Sequence, residues 1–99
     1  MNYSKGDLKE VDGTWGQGSV CATYDELVAL FGFPYGASGD GKVQAEWVVK
    51  FDNGILATIY DWKQYDTAAE DVVNWNIGGR SWQAEDFVQK TLNANRPNI

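Results

Sequence analysis

Histidine is absent from this chain of 99 residues, and cysteine occurs once, at position 21. The absence of histidine removes the commonest general base and the commonest transition-metal ligand. A single cysteine supplies neither an internal disulfide nor a structural zinc site, so we expect no metal and no cofactor. Cys21 stands between Val20 and Ala22 with no activating base nearby in sequence. We therefore expect a buried thiol and not a nucleophile.

Basic residues are also scarce: eight Lys and Arg stand against fourteen Asp and Glu, which gives a formal net charge of -6. A negative chain repels a phosphate backbone, so we do not expect direct nucleic-acid binding. The same charge would suit a protein that binds a basic surface on another protein, although it also serves solubility alone. The sequence has no run of about 18 apolar residues and no secretory leader, so we expect no membrane contact and a cytoplasmic location.

Apolar and aromatic residues, in contrast, are plentiful. The hydrophobic share is 43% and the aromatic share is 14%, which is too apolar for a disordered chain. The length supports a single domain over residues 1–99. Residues 1–19 are polar and Gly-rich, so we expect an irregular arm there, anchored by Trp15. We expect residues 94–99 to form a frayed polar tail.

The segment "TYDELVALFG" predicts a short helix at about residues 24–31. Thr23 and Glu26 stand three apart, as in a capping box, and Gly32 is placed to end the helix. The apolar side chains recur at spacings of three and four, which puts them on one face for burial. That face comprises Leu27, Leu30 and Phe31.

The stretch "EWVVKFDNGILATIYDW", residues 46–62, predicts a β-hairpin that reverses at Asp52-Asn53-Gly54. Two registers are open. A two-residue turn would place polar Thr58 among the apolar side chains, whereas a three-residue loop with Gly54 in a left-handed bulge gives a wholly apolar face. We prefer the second register, whose apolar face is Trp47, Val49, Phe51, Ile55, Ala57 and Ile59. The opposite face holds Val48, Lys50, Leu56, Thr58, Tyr60 and Trp62, and we expect it to pack on the arm or on a partner.

After the hairpin, "VVNWNIGG" predicts a third strand, because Val73, Trp75 and Ile77 alternate with asparagines. We expect the two following glycines, Gly78 and Gly79, to end this strand. Ser81 would then cap a closing helix that runs through about residue 93. The buried stripe of that helix would be Ala84, Phe87, Val88, Thr91 and Leu92.

The predicted fold is α+β, with elements in the order α-β-β-β-α after the irregular N-terminal arm. Sequential strands with short links favour a three-stranded antiparallel sheet. We expect both helices to pack on the sheet face that carries Trp47, Val49 and Phe51.

The acidic segment "DWKQYDTAAEDV" joins the hairpin to the third strand. Two carboxylates facing one cleft would serve a glycosidase, and clustered carboxylates would serve a Ca²⁺ site. The candidates lack the alternating spacing and the central glycine of a Ca²⁺ loop: Asp61, Asp66, Glu70 and Asp71. A solvated charge run is the better interpretation, and we do not expect an enzyme.

Aromatic residues beside this segment are the other candidates for binding. Trp62 and Tyr65 would either anchor a protein interface or fill the core. The loop "GFPYGASGDGK" offers an alternative ligand site, in which two rings stack on a base and backbone amides hold phosphate. Its residues would be Tyr35, Gly36, Gly39, Gly41 and Trp62. This loop leads from a helix into a strand, however, which is the wrong context for a phosphate-binding loop.

The segments "EWVVKFDNGILATIYDWK" and "WNIGG" resemble a group of small bacteriophage accessory proteins. Those proteins have a Gly-rich loop, then "EW", a hairpin with "ATIY" and a late "W-x-I-G-G", and the resemblance spans roughly residues 27–88. The motifs are structural, and no catalytic residue comes with them. The resemblance implies a phage or prophage origin, where short acidic proteins such as anti-CRISPR proteins and DNA mimics block host defence.

Three functional hypotheses follow from the charge, the missing catalytic groups and the resemblance. The first is a non-enzymatic phage inhibitor that occupies a basic surface on a bacterial defence complex, in the cytoplasm of the infected host. Its contacts would be Trp62, Tyr65, Asp66, Glu70 and Asp71. The second is a small module that sequesters a nucleotide signal at the alternative ligand site. The third is a virion structural or assembly protein, which would self-associate.

Overall fold

Five antiparallel strands and two helices build the fold, in a computed structural model that describes residues 2–97. In chain order they are β1 (Tyr3–Lys5), β2 (Trp15–Cys21), α1 (Tyr24–Phe31), β3 (Glu46–Phe51), β4 (Leu56–Tyr60), β5 (Asn74–Gly79) and α2 (Gln83–Asn95). Two short 3₁₀ turns occupy Leu8–Val11 and Ala69–Asp71. The class is α+β, as the sequence predicts.

The sheet has the strand order β1-β3-β4-β5-β2, so the first two strands of the chain lie at opposite edges. The prediction of a three-stranded sheet is therefore wrong. The prediction of an irregular arm over residues 1–19 is also wrong, because β1 and most of β2 lie in that range. Met1 lies outside the described residues. The sequences "YSK" and "WGQGSVC" have little apolar alternation. They form strands because β3 and β5 offer unpaired backbone edges to them, which local sequence does not reveal.

The hairpin of β3 and β4 has the preferred register. Trp47 lies opposite Ile59, and Val49 lies opposite Ala57. The N–H of Phe51 donates to the Ile55 carbonyl at 2.9 Å, and Gly54 has a φ of +89°. The three-residue loop with a left-handed glycine is confirmed, because only that arrangement puts the apolar side chains together on one face.

Both helices pack on the predicted face of the sheet. The rings of Trp47 and Trp75 meet edge to face with centroids 5.2 Å apart, and Tyr24 of α1 lies 5.6 Å from Trp47 on its other side. Phe51 lies 5.5 Å from Phe87 of α2. These aromatic contacts join the sheet and the two helices in one hydrophobic core.

Helix α1 begins and ends where the sequence predicts. Thr23 Oγ1 accepts a hydrogen bond from the N–H of Glu26 at 3.1 Å, and Glu26 Oε1 accepts one from the N–H of Thr23. The helix ends at Gly32, whose φ is +83° and whose N–H donates to the Val28 carbonyl. Leu27, on the inner face of the helix, is fully buried.

Strand β5 includes the glycines that were expected to end it. Gly78 pairs with Thr58, and Gly79 pairs with Ala57. A Cβ at position 78 would lie 2.5 Å from Thr58 Oγ1, and one at position 79 would lie 2.6 Å from the Cβ of Ala84. The glycines thus mark close approach by neighbouring side chains on the two faces, and they do not mark a break.

Of the stripe predicted for helix α2, Ala84, Val88 and Leu92 are buried, and Phe87 and Thr91 are half-buried. The N-cap position belongs to Trp82; the predicted cap, Ser81, precedes it, and its Oγ accepts a hydrogen bond from the N–H of Gln83 at 3.1 Å. The helix extends into the segment that was expected to fray. Beyond it, Arg96 donates to both carboxylate oxygens of Glu26, at 2.7 and 3.1 Å, and to the Cys21 carbonyl. Residues through Arg96 are therefore held against α1, and residues 98–99 lie outside the described chain.

Candidate functional site

Residues 6–14, which join β1 to β2 and which we call the arm, cross the face of the sheet that carries no helix, the open face. The arm leaves β1 at one edge and enters β2 at the other. On its way, Glu10 pairs with Lys50 at 2.9 Å, and Arg80 donates to the carbonyls of Glu10 and Asp12 at 2.7 Å each. Val48 is only 2% exposed on this face. The second face of the hairpin therefore packs in part on the arm.

The remainder of the open face forms a groove of about 200 Å³. Its lining residues are Thr14, Trp15, Val43, Glu46, Thr58, Tyr60, Trp62 and Gly78, and we call it the aromatic groove. Glu46 and Tyr60 are neighbours there because β3 and β4 pair them directly. Gly78 is paired with Thr58, and a side chain at position 78 would collide with Thr58 Oγ1.

Glu46 brings a poorly solvated carboxylate to the aromatic groove. Burial raises the pKa of Glu46, and no hydrogen bond within the described residues offsets that effect. Burial also raises the pKa of Tyr60, and the negative charge of Glu46 raises it further. A carboxylate in this position gains free energy from a cationic or proton-donating ligand, because such a ligand replaces the lost water.

Asp61 is fully buried, so the acidic segment is not a solvated run throughout. Its Oδ1 accepts hydrogen bonds from the N–H groups of Gln44 and Ala45, at 2.8 and 3.1 Å. Its Oδ2 accepts from Gln44 Nε2 at 3.0 Å, and the same amide donates to the carbonyls of Gln64 and Thr67. This network fastens the chain that follows β4 to the chain that precedes β3.

The five residues predicted to bind a protein are all exposed on the chain segment 62–71, which we call the acidic loop. They are Trp62, Tyr65, Asp66, Glu70 and Asp71. Tyr65 is 70% exposed and Trp62 is 46% exposed, so neither is core filler. The salt bridges between described residues involve none of the three carboxylates. The loop thus presents uncompensated negative charge beside two aromatic rings.

Two lysines flank the ring of Trp62, where the acidic loop meets the aromatic groove. Lys42 Nζ and Lys63 Nζ each lie 5.7 Å from the ring centroid, within the range of a cation–π interaction. Lys63 has a left-handed backbone with a φ of +55°, and its N–H donates to the Lys42 carbonyl at 2.8 Å. The indole therefore already attracts positive charge within the protein itself.

The residues of the alternative ligand site are not assembled into a pocket. The Tyr35 hydroxyl donates to the Gly6 carbonyl at 2.8 Å, and Lys5 Nζ lies 4.4 Å from the Tyr35 ring centroid. Gly36 and Gly39 are exposed, and the N–H of Gly41 donates to a carbonyl within the same loop. Trp62 lines the aromatic groove, whose lining does not include Tyr35. Of the three glycine amides, that of Gly41 is thus already bonded within the loop.

Within residues 2–97, no three His, Cys, Asp or Glu side chains gather closely enough to hold a metal ion. Neither helix in that range has the length and apolar character that crossing a membrane requires. Cys21 is exposed, contrary to expectation, because strand alternation turns Val20 and Ala22 into the core and Cys21 away from it.

Sequence reasoning missed Glu46 and the aromatic groove, although a signal was present. The preferred hairpin register already places Tyr60 on the face opposite the core, and the same alternation places Glu46 there. The missing information was the path of the arm, which covers Val48 and leaves Thr58 and Tyr60 beside an open space. That path depends on contacts across the whole sheet.

No protein-family model, curated protein or solved structure matches this chain. The resemblance to bacteriophage accessory proteins therefore stays a prediction. The acidic loop and the aromatic groove are the features of this chain that bear on function.

Proposed function

We propose that this chain is a non-enzymatic phage inhibitor that binds a basic surface on a bacterial defence complex. The observation that carries the proposal is the acidic loop, with three carboxylates outside the salt bridges of the described chain and two exposed rings. Carboxylates pair strongly with Arg and Lys, and Trp and Tyr are frequent anchors of protein interfaces. The phage context comes from the sequence resemblance.

The base of the acidic loop supports a role in binding. The buried Asp61 and the side chain of Gln44 hold the start of the loop through several hydrogen bonds. A loop that is ordered before binding loses less conformational freedom when the partner arrives. The formal net charge of -6 adds attraction toward a basic partner at long range.

The test uses bacterial strains that each carry one defence system, together with a phage that the system restricts. Expression of the chain should restore plating of the phage in at least one strain. The purified chain should also co-elute with a component of that system, and higher salt should weaken the complex because ions screen the charge pairs. If plating is restored in none of the strains and no defence component co-elutes, the proposal is contradicted.

A pair of charge-matched variants identifies the surface. The loop variant carries Asp66→Asn, Glu70→Gln and Asp71→Asn, and the control variant carries Asp12→Asn, Asp25→Asn and Asp52→Asn. All six side chains are exposed, and each variant loses three negative charges. The loop variant should lose inhibition while the control retains it. Equal inhibition by two folded variants would exclude the acidic loop as the binding surface.

A further inference from the structure

We propose that the aromatic groove receives an arginine side chain of the partner protein. This inference rests on the proposed function for the nature of the partner, and it goes beyond that function by assigning a pocket that shares only Trp62 with the acidic loop. The acidic loop supplies attraction along the surface, whereas the groove would hold one side chain in a defined place.

The charge of the groove favours a cation. Among the lining residues, all of which lie in the described chain, Glu46 is the one that carries a charge. Its carboxylate has no ion-pair partner among residues 2–97. A guanidinium offers several N–H donors in a planar fork, which matches the two oxygens of a carboxylate. An arginine would thus compensate a charge that the fold leaves unpaired.

The aromatic walls favour a planar cation. Tyr60 and Trp62 stand edge to face, at 83° with centroids 6.5 Å apart, and both line the groove. A guanidinium stacks on the face of such a ring while its edge donates hydrogen bonds. Two ammonium groups already lie 5.7 Å from the Trp62 ring centroid, within the range of a cation–π interaction. An arginine would use the same interaction.

Two of the lining residues are small. Thr58 is 2% exposed, and its Oγ1 fills the space beside Gly78, where a Cβ would lie only 2.5 Å away. Glu46 and Tyr60, which β3 and β4 pair directly, line the groove together with these two residues. The Glu46 carboxylate and an aromatic ring therefore lie side by side in the groove.

Lys42 and Lys63 oppose the proposed arginine, because they bring positive charge to the same ring. Lys42 has a nearby acidic partner, Asp40, at 3.9 Å. Replacement of both lysines by glutamine should therefore strengthen arginine binding. The same replacement should weaken the binding of an anion, so this variant distinguishes an arginine from a nucleotide or phosphate occupant.

The experiment is an NMR titration of the full ¹⁵N-labelled chain with a blocked peptide, Gly-Gly-Arg-Gly-Gly. The control peptide has citrulline in place of arginine, which keeps the shape and removes the charge. The arginine peptide should shift the Trp62 indole N–H and the amides of Tyr60 and Gly78 in a saturable way. Its affinity should fall about tenfold with citrulline and about tenfold in Glu46→Gln, as expected for one charge-assisted hydrogen-bonded pair.

The variants decide between the outcomes. Glu46→Gln keeps the size of the side chain, and Trp62→Ala removes a half-exposed ring, so a thermal melt suffices to confirm that both are folded. Equal binding of the arginine and citrulline peptides, unchanged binding by Glu46→Gln, or tighter binding of inorganic phosphate than of the arginine peptide would overturn the proposal. An absence of shifts at the groove would also overturn it.

The two proposals fail in different ways. If the arginine peptide does not bind, but the loop variant still loses its defence partner, the groove assignment fails and the proposed function stands. If the peptide binds as expected, but no defence system is inhibited, the proposed function fails and the groove remains an arginine site.

Discussion

The two faces of the sheet differ in what covers them. On the helix-covered face, Trp75, Ile77, Val88 and Leu92 are completely buried. On the open face, one chain segment crosses the strands and leaves a groove in which Thr58 is buried while Trp62 stays half exposed. The difference separates two properties of the molecule. Substitutions on the helix-covered face should change stability, and substitutions on the open face should change binding.

The largest expected effect is the loss of Trp75. Its ring is completely buried, and its Nε1–H donates to the Ala22 carbonyl at 3.0 Å. Trp75→Ala should lower the free energy of unfolding by about 3–5 kcal/mol, because it leaves a cavity and an unpaired carbonyl. Trp82, which is 68% exposed, supplies the control. Trp82→Ala should change urea-denaturation stability by less than about 0.5 kcal/mol, and equal losses in both variants would refute the assignment of the core.

A smaller loss is expected at Asp61, which holds the base of the acidic loop. Asp61→Ala leaves the buried N–H of Ala45 without its acceptor, and this should cost about 1–3 kcal/mol of stability. Amide hydrogen exchange at Gln44 and Ala45 should become faster. Asp66→Ala, at an exposed position of the acidic loop, is the control and should change neither the stability nor the exchange rates. Unaltered exchange in Asp61→Ala would mean that the network does not hold the loop.

The ion pair of Arg96 and Glu26 should contribute about 1 kcal/mol to the free energy of unfolding, in a pH-dependent way. The contribution is small because both side chains are partly exposed and water screens their charges. The hydrogen bond from Arg96 lowers the pKa of Glu26 below its usual 4.5. The stabilisation should therefore be complete above pH 4.5 and disappear as the pH falls through the lowered folded-state pKa. The difference in melting temperature between Arg96→Ala and the parent should be larger at neutral pH than in strong acid, where only the hydrogen bond to the Cys21 carbonyl distinguishes them. A constant difference would show that the contribution is not ionic.

The smallest effect on stability is expected at Glu46, where the pH dependence is opposite to that of the Arg96–Glu26 ion pair. Burial raises the pKa of Glu46, so the folded state binds its proton more tightly than the unfolded state does. Its contribution to stability is present below pH 4.5 and is lost as the pH rises through the raised folded-state pKa. Glu46→Gln should therefore melt at a slightly higher temperature than the parent at neutral pH. A lower melting temperature at neutral pH would indicate that the carboxylate has a stabilising partner.

Local sequence was sufficient wherever local interactions determine the structure. The capping box of Thr23 and Glu26 defined α1, and the apolar alternation around Asp52-Asn53-Gly54 defined both the hairpin and its register. In these segments, hydrogen bonds between near neighbours and the burial of one face agree with each other. That agreement is why these elements were predicted correctly.

Prediction from local sequence failed where a structural element depends on a contact with residues distant along the chain. Strand β2 exists because it pairs with β5, whose residues lie more than fifty positions away. Gly78 and Gly79 read locally as strand breakers, but they are required by Thr58 and Ala84. The acidic loop is exposed, as its composition indicates. Asp61, which directly precedes the loop, is instead buried and accepts hydrogen bonds from Gln44 and Ala45, which are distant along the chain. The aromatic groove was missed for the same reason.

The central claim is that the acidic loop supplies the negative charges that bind a basic partner, while acidic residues away from this loop and the aromatic groove are dispensable for that binding. Isothermal titration calorimetry of one purified partner against the loop variant and the charge-matched control variant tests it directly. We predict that neutralising Asp66, Glu70 and Asp71 weakens binding by at least about tenfold, while neutralising Asp12, Asp25 and Asp52 leaves the dissociation constant within about twofold of the parent. Equal weakening in the two variants would contradict the claim, because it would show that only the net charge matters.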